Sequence, residues 1–81
     1  MESGWHAEQT LDARGLLCPM PLLRTRQALR RMVAGQLLLV KTTDPGAHRD
    51  IPAYLRQASH ELVRFAEQQQ ELWFLIRVGA E

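Results

Sequence analysis

The chain holds one cysteine, Cys18, in the segment Arg14-Gly15-Leu16-Leu17-Cys18-Pro19-Met20-Pro21, where a short apolar run meets two prolines. Proline suits the first turn of a helix, because the N–H it lacks would have no partner there anyway. Pro19 and Pro21 therefore mark a helix start and place Cys18 at or beside its N-cap. The positive end of that helix dipole, with Arg14, Arg24 and Arg26 nearby in sequence, is expected to favour thiolate and to bring the thiol below its free pKa of about 8.5. The same prolines delete two of the free N–H groups of the helix start and leave Met20 and Leu22 as the nearby donors. That thins the amide cradle a phosphate or an acyl oxyanion would need. An exposed, soft nucleophile on a rigid platform remains. With no second cysteine in the chain, Cys18 cannot form an internal disulfide.

Other chemistries find less support. His48 and His60 could serve a cysteine hydrolase as base, but 81 residues leave little room for a substrate cleft. One cysteine with His6, His48 and His60 at scattered spacings matches no zinc pattern, so neither a metal nor a cofactor is expected; His60, beside a strand start, suits a structural role. A non-enzymatic interaction or regulatory module, with Cys18 as an inert helix-capping residue, stays open as an alternative.

These residues need a scaffold, and 81 residues supply one domain whose core must come from a hydrophobic content of 46%. No signal-like or long apolar segment is present, and a lone cysteine fits a reducing compartment, so a cytoplasmic protein that neither crosses nor binds a membrane is expected. The formal net charge is only +1, yet Arg14, Arg24, Arg26, Arg30, Arg31 and Lys41 fall between Ala13 and Thr43 without an acid. Such a face is either simply solvated or a docking surface around Cys18. No aromatic residue interleaves with the arginines, so direct nucleic-acid binding is not expected.

Met1 to Gln9 has no periodicity and is expected to be a flexible tail before a single domain over 10–81. Thr10 to Arg14 alternates as a strand. Leu22, Thr25, Leu29, Met32 and Val33 form the stripe of a helix from Pro19 to about Val33, with Gly35 as its stop. Gln36 to Thr42 is a strand apolar on both faces, which hints at a partly exposed apolar patch. Asp44-Pro45-Gly46 forms a turn, and Asp50-Ile51-Pro52 predicts a second helix from Asp50 to Ser59 with Ile51, Leu55 and Ala58 inward. Asp44 and Asp50 are both placed to cap. Glu61 to Glu67 and Leu72 to Val78 form two strands around Gln68-Gln69-Gln70, the second burying Leu72, Phe74, Ile76 and Val78. The order βαβαββ predicts an α/β two-layer sandwich, two helices on one face of a four-stranded mixed sheet with right-handed crossovers.

Leu-Asp-Ala-Arg-Gly-Leu-Leu-Cys-Pro-Met-Pro-Leu-Leu at 11–23, Thr-Asp-Pro-Gly-Ala-His-Arg-Asp-Ile-Pro at 43–52 and His-Glu-Leu-Val at 60–63 together resemble the TusA family of sulfur carriers. The resemblance implies that Cys18, supported by Pro19 and Pro21, accepts sulfane sulfur from a cysteine desulfurase and passes it onward. It further implies a TusBCD-type relay to the wobble uridine of tRNA, or delivery to molybdenum cofactor assembly or sulfur oxidation. Arg26 and Asp44 stand at motif positions that imply partner contact, and Arg24 is added to them as a neighbouring charge. Where many members carry glycine before the histidine of the third segment, this chain has Ser59, and its hairpin turn lacks glycine.

Overall fold

Strand β2 (Leu37–Thr42) is apolar on both faces, and the rest of the chain is arranged to cover it. In the computed structural model, which describes residues 5–80, its flanks are β1 (Gln9–Ala13), paired parallel, and β4 (Glu71–Arg77), paired antiparallel. An edge strand, β3 (Glu61–Gln68), pairs antiparallel with β4, giving the sheet order β1-β2-β4-β3. The helices α1 (Met20–Arg30) and α2 (Ala47–Gln57) complete the expected βαβαββ mixed-sheet sandwich.

Register decides which residues share a face. Leu39 stands opposite Leu75, and Val40 opposite Phe74. Leu38, Val40, Leu72, Phe74, Ile76 and Val78 point to the helices, where Leu29 and Met32 of the α1 region and Ala47, Ile51 and Leu55 of α2 close the main core. On the opposite face Leu39, Trp73 and Leu75 form a smaller cluster with Trp5, Ala7, Leu37 and Val63. Trp5 meets Trp73 edge-on at 5.9 Å, Lys41 Nζ lies 4.3 Å over Trp73, and the Arg64 guanidinium lies 5.2 Å over Trp5. The apolar patch expected on β2 is thus covered by residues outside any apolar periodicity. Of the segment anticipated as a tail, 1–4 lie outside the described residues, whereas Glu8 donates its N–H to Leu37 and Gln9 belongs to β1.

Both helices differ from expectation at their ends. Helix α1 stops at Arg30, the N–H of its C-cap Arg31 bonding back to the Ala28 carbonyl and that of Met32 to the Leu29 carbonyl. Gly35, with φ +94°, serves the following turn instead, which Gln36 N–H closes onto the Val33 carbonyl. Val33 is exposed and off the stripe, and Pro21 is buried on it. Helix α2 begins directly after the Asp44-Pro45-Gly46 turn rather than at Asp50, so Pro52 falls inside it. An interior proline costs about 3 kcal/mol, but Ala47, Ile51 and Leu55 bury a continuous stripe that exists only if the helix starts early. Ser59, at φ 66°, makes the left-handed exit without a glycine. Gly79 passes so close that an added Cβ would overlap the Ser59 carbonyl oxygen, and its N–H donates to His60 Nδ1 at 3.0 Å, which gives His60 its structural role.

Candidate functional site

Because β1 and β2 run parallel, the loops leaving them open at the same edge of the sheet, and both helices start there. Two residues, Gly15 and Arg14, hold the first loop to that edge. Gly15 adopts φ +82°, a region open to glycine, and donates its N–H to Thr43 Oγ1 at 2.9 Å. Arg14 grips Asp12 through Nε and Nη2, each at 2.9 Å, and reaches Glu71 at 3.3 Å. Side-chain hydrogen bonding from Arg14, ahead of its backbone N–H, lowers the Asp12 carboxyl to about 2. Glu71 is lowered first by the Trp73 indole N–H and then, against some desolvation, by Arg14.

The chain then makes a turn closed by Met20 N–H onto the Leu17 carbonyl at 2.9 Å, with Cys18 and Pro19 between them and a cis bond joining the two. Pro19 is the N-cap residue of α1, so Cys18 stands just before it, and Leu23 N–H bonds back to the Pro19 carbonyl. Pro21 is buried in the first turn, where its carbonyl accepts from Thr25 Oγ1 at 2.8 Å. The Cys18 thiol is exposed, and beside it Leu17, Met20 and Leu23 present apolar surface to solvent.

The arginines are not gathered on the sulfur. Arg14 is engaged by Asp12 and Glu71, the Arg26 guanidinium lies 5.4 Å over the Tyr54 ring and ties α1 to α2, and Arg24 is exposed on α1. A carboxylate faces the thiol instead: Cys18 Sγ donates to Asp50 Oδ2 at 3.9 Å. Asp50 sits in the first turn of α2, whose N-cap is Gly46 and carries no side-chain capping bond, so neither Asp44 nor Asp50 is the cap expected from sequence. Asp44 is a turn residue, buried, its N–H bonded to Thr42 Oγ1 and its carbonyl accepting from Ala47. Both carboxylates flank Gly46: a Cβ there would lie 3.4 Å from Asp44 Oδ2 and 3.7 Å from Asp50 Oδ2. The meeting of Cys18 with Asp50 was missed in the sequence. Its signal was the pair of parallel strands, each handing over to a helix at one edge.

An exposed thiol on a pinned turn, with apolar surface beside it, is a geometry for exchanging a sulfur atom with another protein. A family description, Sulfurtransferase TusA, matches residues 9–78. The chain belongs to the TusA family. Within it, the chain is 43% identical over 70 residues to the sulfur carrier protein TusA of Allochromatium vinosum, covering 86% of this chain and 92% of that protein. It is 38% identical over 73 residues to YrkI of Bacillus subtilis strain 168, named as a candidate sulfur carrier, covering 90% and 97%. A crystal structure of a SirA-like protein from Desulfitobacterium hafniense shares the fold, with a TM-score of 0.78 at 22% identity over 89% of this chain and 99% of that one. This TusA-family chain keeps the left-handed exit before His60 with serine in place of glycine.

Proposed function

We propose that Cys18 is the sulfur-carrying residue, accepting sulfane sulfur from a cysteine desulfurase as a persulfide and releasing it to an acceptor protein. The observation that carries this reading is the exposure of the single cysteine on a turn fixed by Pro19 and Pro21. The Cys18 sulfur attacks the outer sulfur of the donor's persulfide, and a new S–S bond forms as the donor's own S–S bond breaks. The electron pair leaves on the donor thiolate, which takes the proton Cys18 gave up, so no external oxidant is needed. Discharge reverses these roles toward the acceptor. The acceptor in this reading is a TusBCD-type relay for 2-thiouridine formation at the tRNA wobble position, and the reaction takes place in the cytoplasm. Among the described residues no helix is long and apolar enough to cross a membrane.

Arg24, Arg26 and Asp44 are the charged candidates for partner contact, of which Arg24 stands exposed on α1 while Arg26 lies half-buried over Tyr54 and Asp44 is buried in its turn; the exposed Leu17, Met20 and Leu23 supply the apolar part of that surface. The test is intact mass after incubation of the reduced protein with a cysteine desulfurase and cysteine. The expected result is a gain of one sulfur that a reductant removes and that Cys18→Ser abolishes while keeping the fold. Sulfur loading retained in Cys18→Ser would refute the assignment, as would no gain in the parent protein with an active desulfurase.

A further inference from the structure

The contact between Cys18 and Asp50 gives the sulfur site a sign of charge opposite to the one its sequence neighbourhood suggests. The flanking sequence is basic, yet the charged atom set against Sγ is Asp50 Oδ2, at 3.9 Å. Arg49 Nε approaches the other oxygen of Asp50 at 3.5 Å, but its side chain is 87% exposed and screens that charge weakly. Asp44 brings a second carboxylate to the same space beside Gly46, where an added Cβ would lie 3.4 Å from Asp44 Oδ2 and 3.7 Å from Asp50 Oδ2. From α1 no acid stands in the first turn and Arg24 is exposed, and from the β1 loop Arg14 is held by Asp12 and Glu71. The starts of both helices add positive potential, which the Asp50 carboxylate meets directly in the first turn of α2.

We infer that Asp50 sets charge selectivity at Cys18, its carboxylate repelling small anionic sulfur compounds so that sulfur comes from neutral donors or from a protein that brings a cation to Asp50. The inference rests on Cys18 being the carrier sulfur. Asp50 touches the thiol through its S–H and takes no part in making or breaking the S–S bond. A free anionic donor reaching Sγ must bring its charge within a few ångströms of Oδ2. A docked desulfurase avoids that repulsion by placing a lysine or arginine against Asp50 while it presents its persulfide.

The test compares two alkylating probes of similar size and opposite demands on the field, anionic iodoacetate and neutral iodoacetamide, on the reduced protein at one pH. Taking the ratio of their rates cancels changes in thiol exposure or ionisation and leaves the charge of the incoming reagent. Asp50→Asn is expected to raise the iodoacetate-to-iodoacetamide ratio by roughly 3- to 10-fold, the size of one charge interaction across a few ångströms of partly aqueous medium. Asp50→Glu should restore the parental ratio. In the unmutated protein the ratio should rise with ionic strength as the carboxylate is screened, which gives a test that needs no variant. A ratio unchanged in Asp50→Asn, or equal effects on both reagents, would overturn the inference by reducing Asp50 to a steric neighbour. A parental ratio that is flat or falls with salt would overturn it too, because it would show a field that does not repel anions. None of these readouts involves persulfide, so sulfur loading by a desulfurase tests the carrier reading separately.

Discussion

At the scale of the residue, Arg14 fixes the loop that presents Cys18, and its partners report on that clamp. Asp12 donates nothing and accepts twice from the Arg14 guanidinium and once from its backbone N–H, so its ionised form is favoured in the fold. Its carboxyl, ordinarily at 3.8, is held at about 2. The folded protein therefore binds fewer protons than the unfolded chain between these values. The clamp contributes fully above the unfolded pKa and is lost as the pH falls through about 2, so acid weakens the loop and alkali does not. A carboxyl NMR titration should give a midpoint near 2 for Asp12 and a return to about 3.8 in Arg14→Ala. Glu71 should move less in that variant, since the Trp73 indole N–H is its leading cause of lowering. A native Asp12 midpoint at its ordinary value would show that the clamp does not persist in solution.

At the scale of the element, the β3–β4 hairpin holds its turn in a backbone conformation that costs stability. Gln69 and Gln70 form its two-residue loop with φ 52° and 67°, the type I′ arrangement that glycine and asparagine favour. Each left-handed non-glycine residue costs about 1 kcal/mol. Gln70→Gly should therefore stabilise the protein by about 1 kcal/mol in denaturant unfolding and leave sulfur loading unchanged. A loss of stability would contradict the turn geometry. The hairpin also shows what the sequence made legible and what it hid. Alternation identified Leu72, Phe74 and Ile76 of β4, and Val78 just after it, as a core face, because a period of two depends only on which side chains are apolar. Pro19 and Pro21 marked the start of α1 because they remove N–H groups that no helix start needs. The start of α2 was hidden, since Pro52 is a strong local signal that tertiary burial of Ala47 overrides. The Cys18–Asp50 contact was hidden for another reason: it spans 32 residues and follows from strand pairing rather than from local pattern.

At the scale of the whole molecule, the division of apolar surface points to one working edge. The helices seal one face of the sheet, and Trp5, Trp73 and their neighbours cover the other. Of the five large hydrophobic residues left exposed among the described residues, Leu17, Met20 and Leu23 line the start of α1 beside Cys18, while Val33 and Phe65 lie elsewhere. Leu17 is 71% exposed, so it adds little to the core and changing it should alter stability by no more than about 0.5 kcal/mol. A partner that covers this edge must desolvate Leu17 to reach the sulfur, and an aspartate there would oppose that step beside the carboxylate of Asp50. Leu17→Asp should therefore slow sulfur transfer from a desulfurase at least several-fold with an unchanged unfolding midpoint. Arg24→Glu should act differently, slowing transfer at low salt and converging on the parental rate at high salt, because a rim charge governs encounter more than the docked contact. Stopped-flow or quenched transfer assays across ionic strength separate the two effects. A Leu17→Asp variant that accepts sulfur at the parental rate would place the docking surface away from the start of α1, and an Arg24→Glu variant with no salt-dependent deficit would leave the arginine face as solvated surface alone.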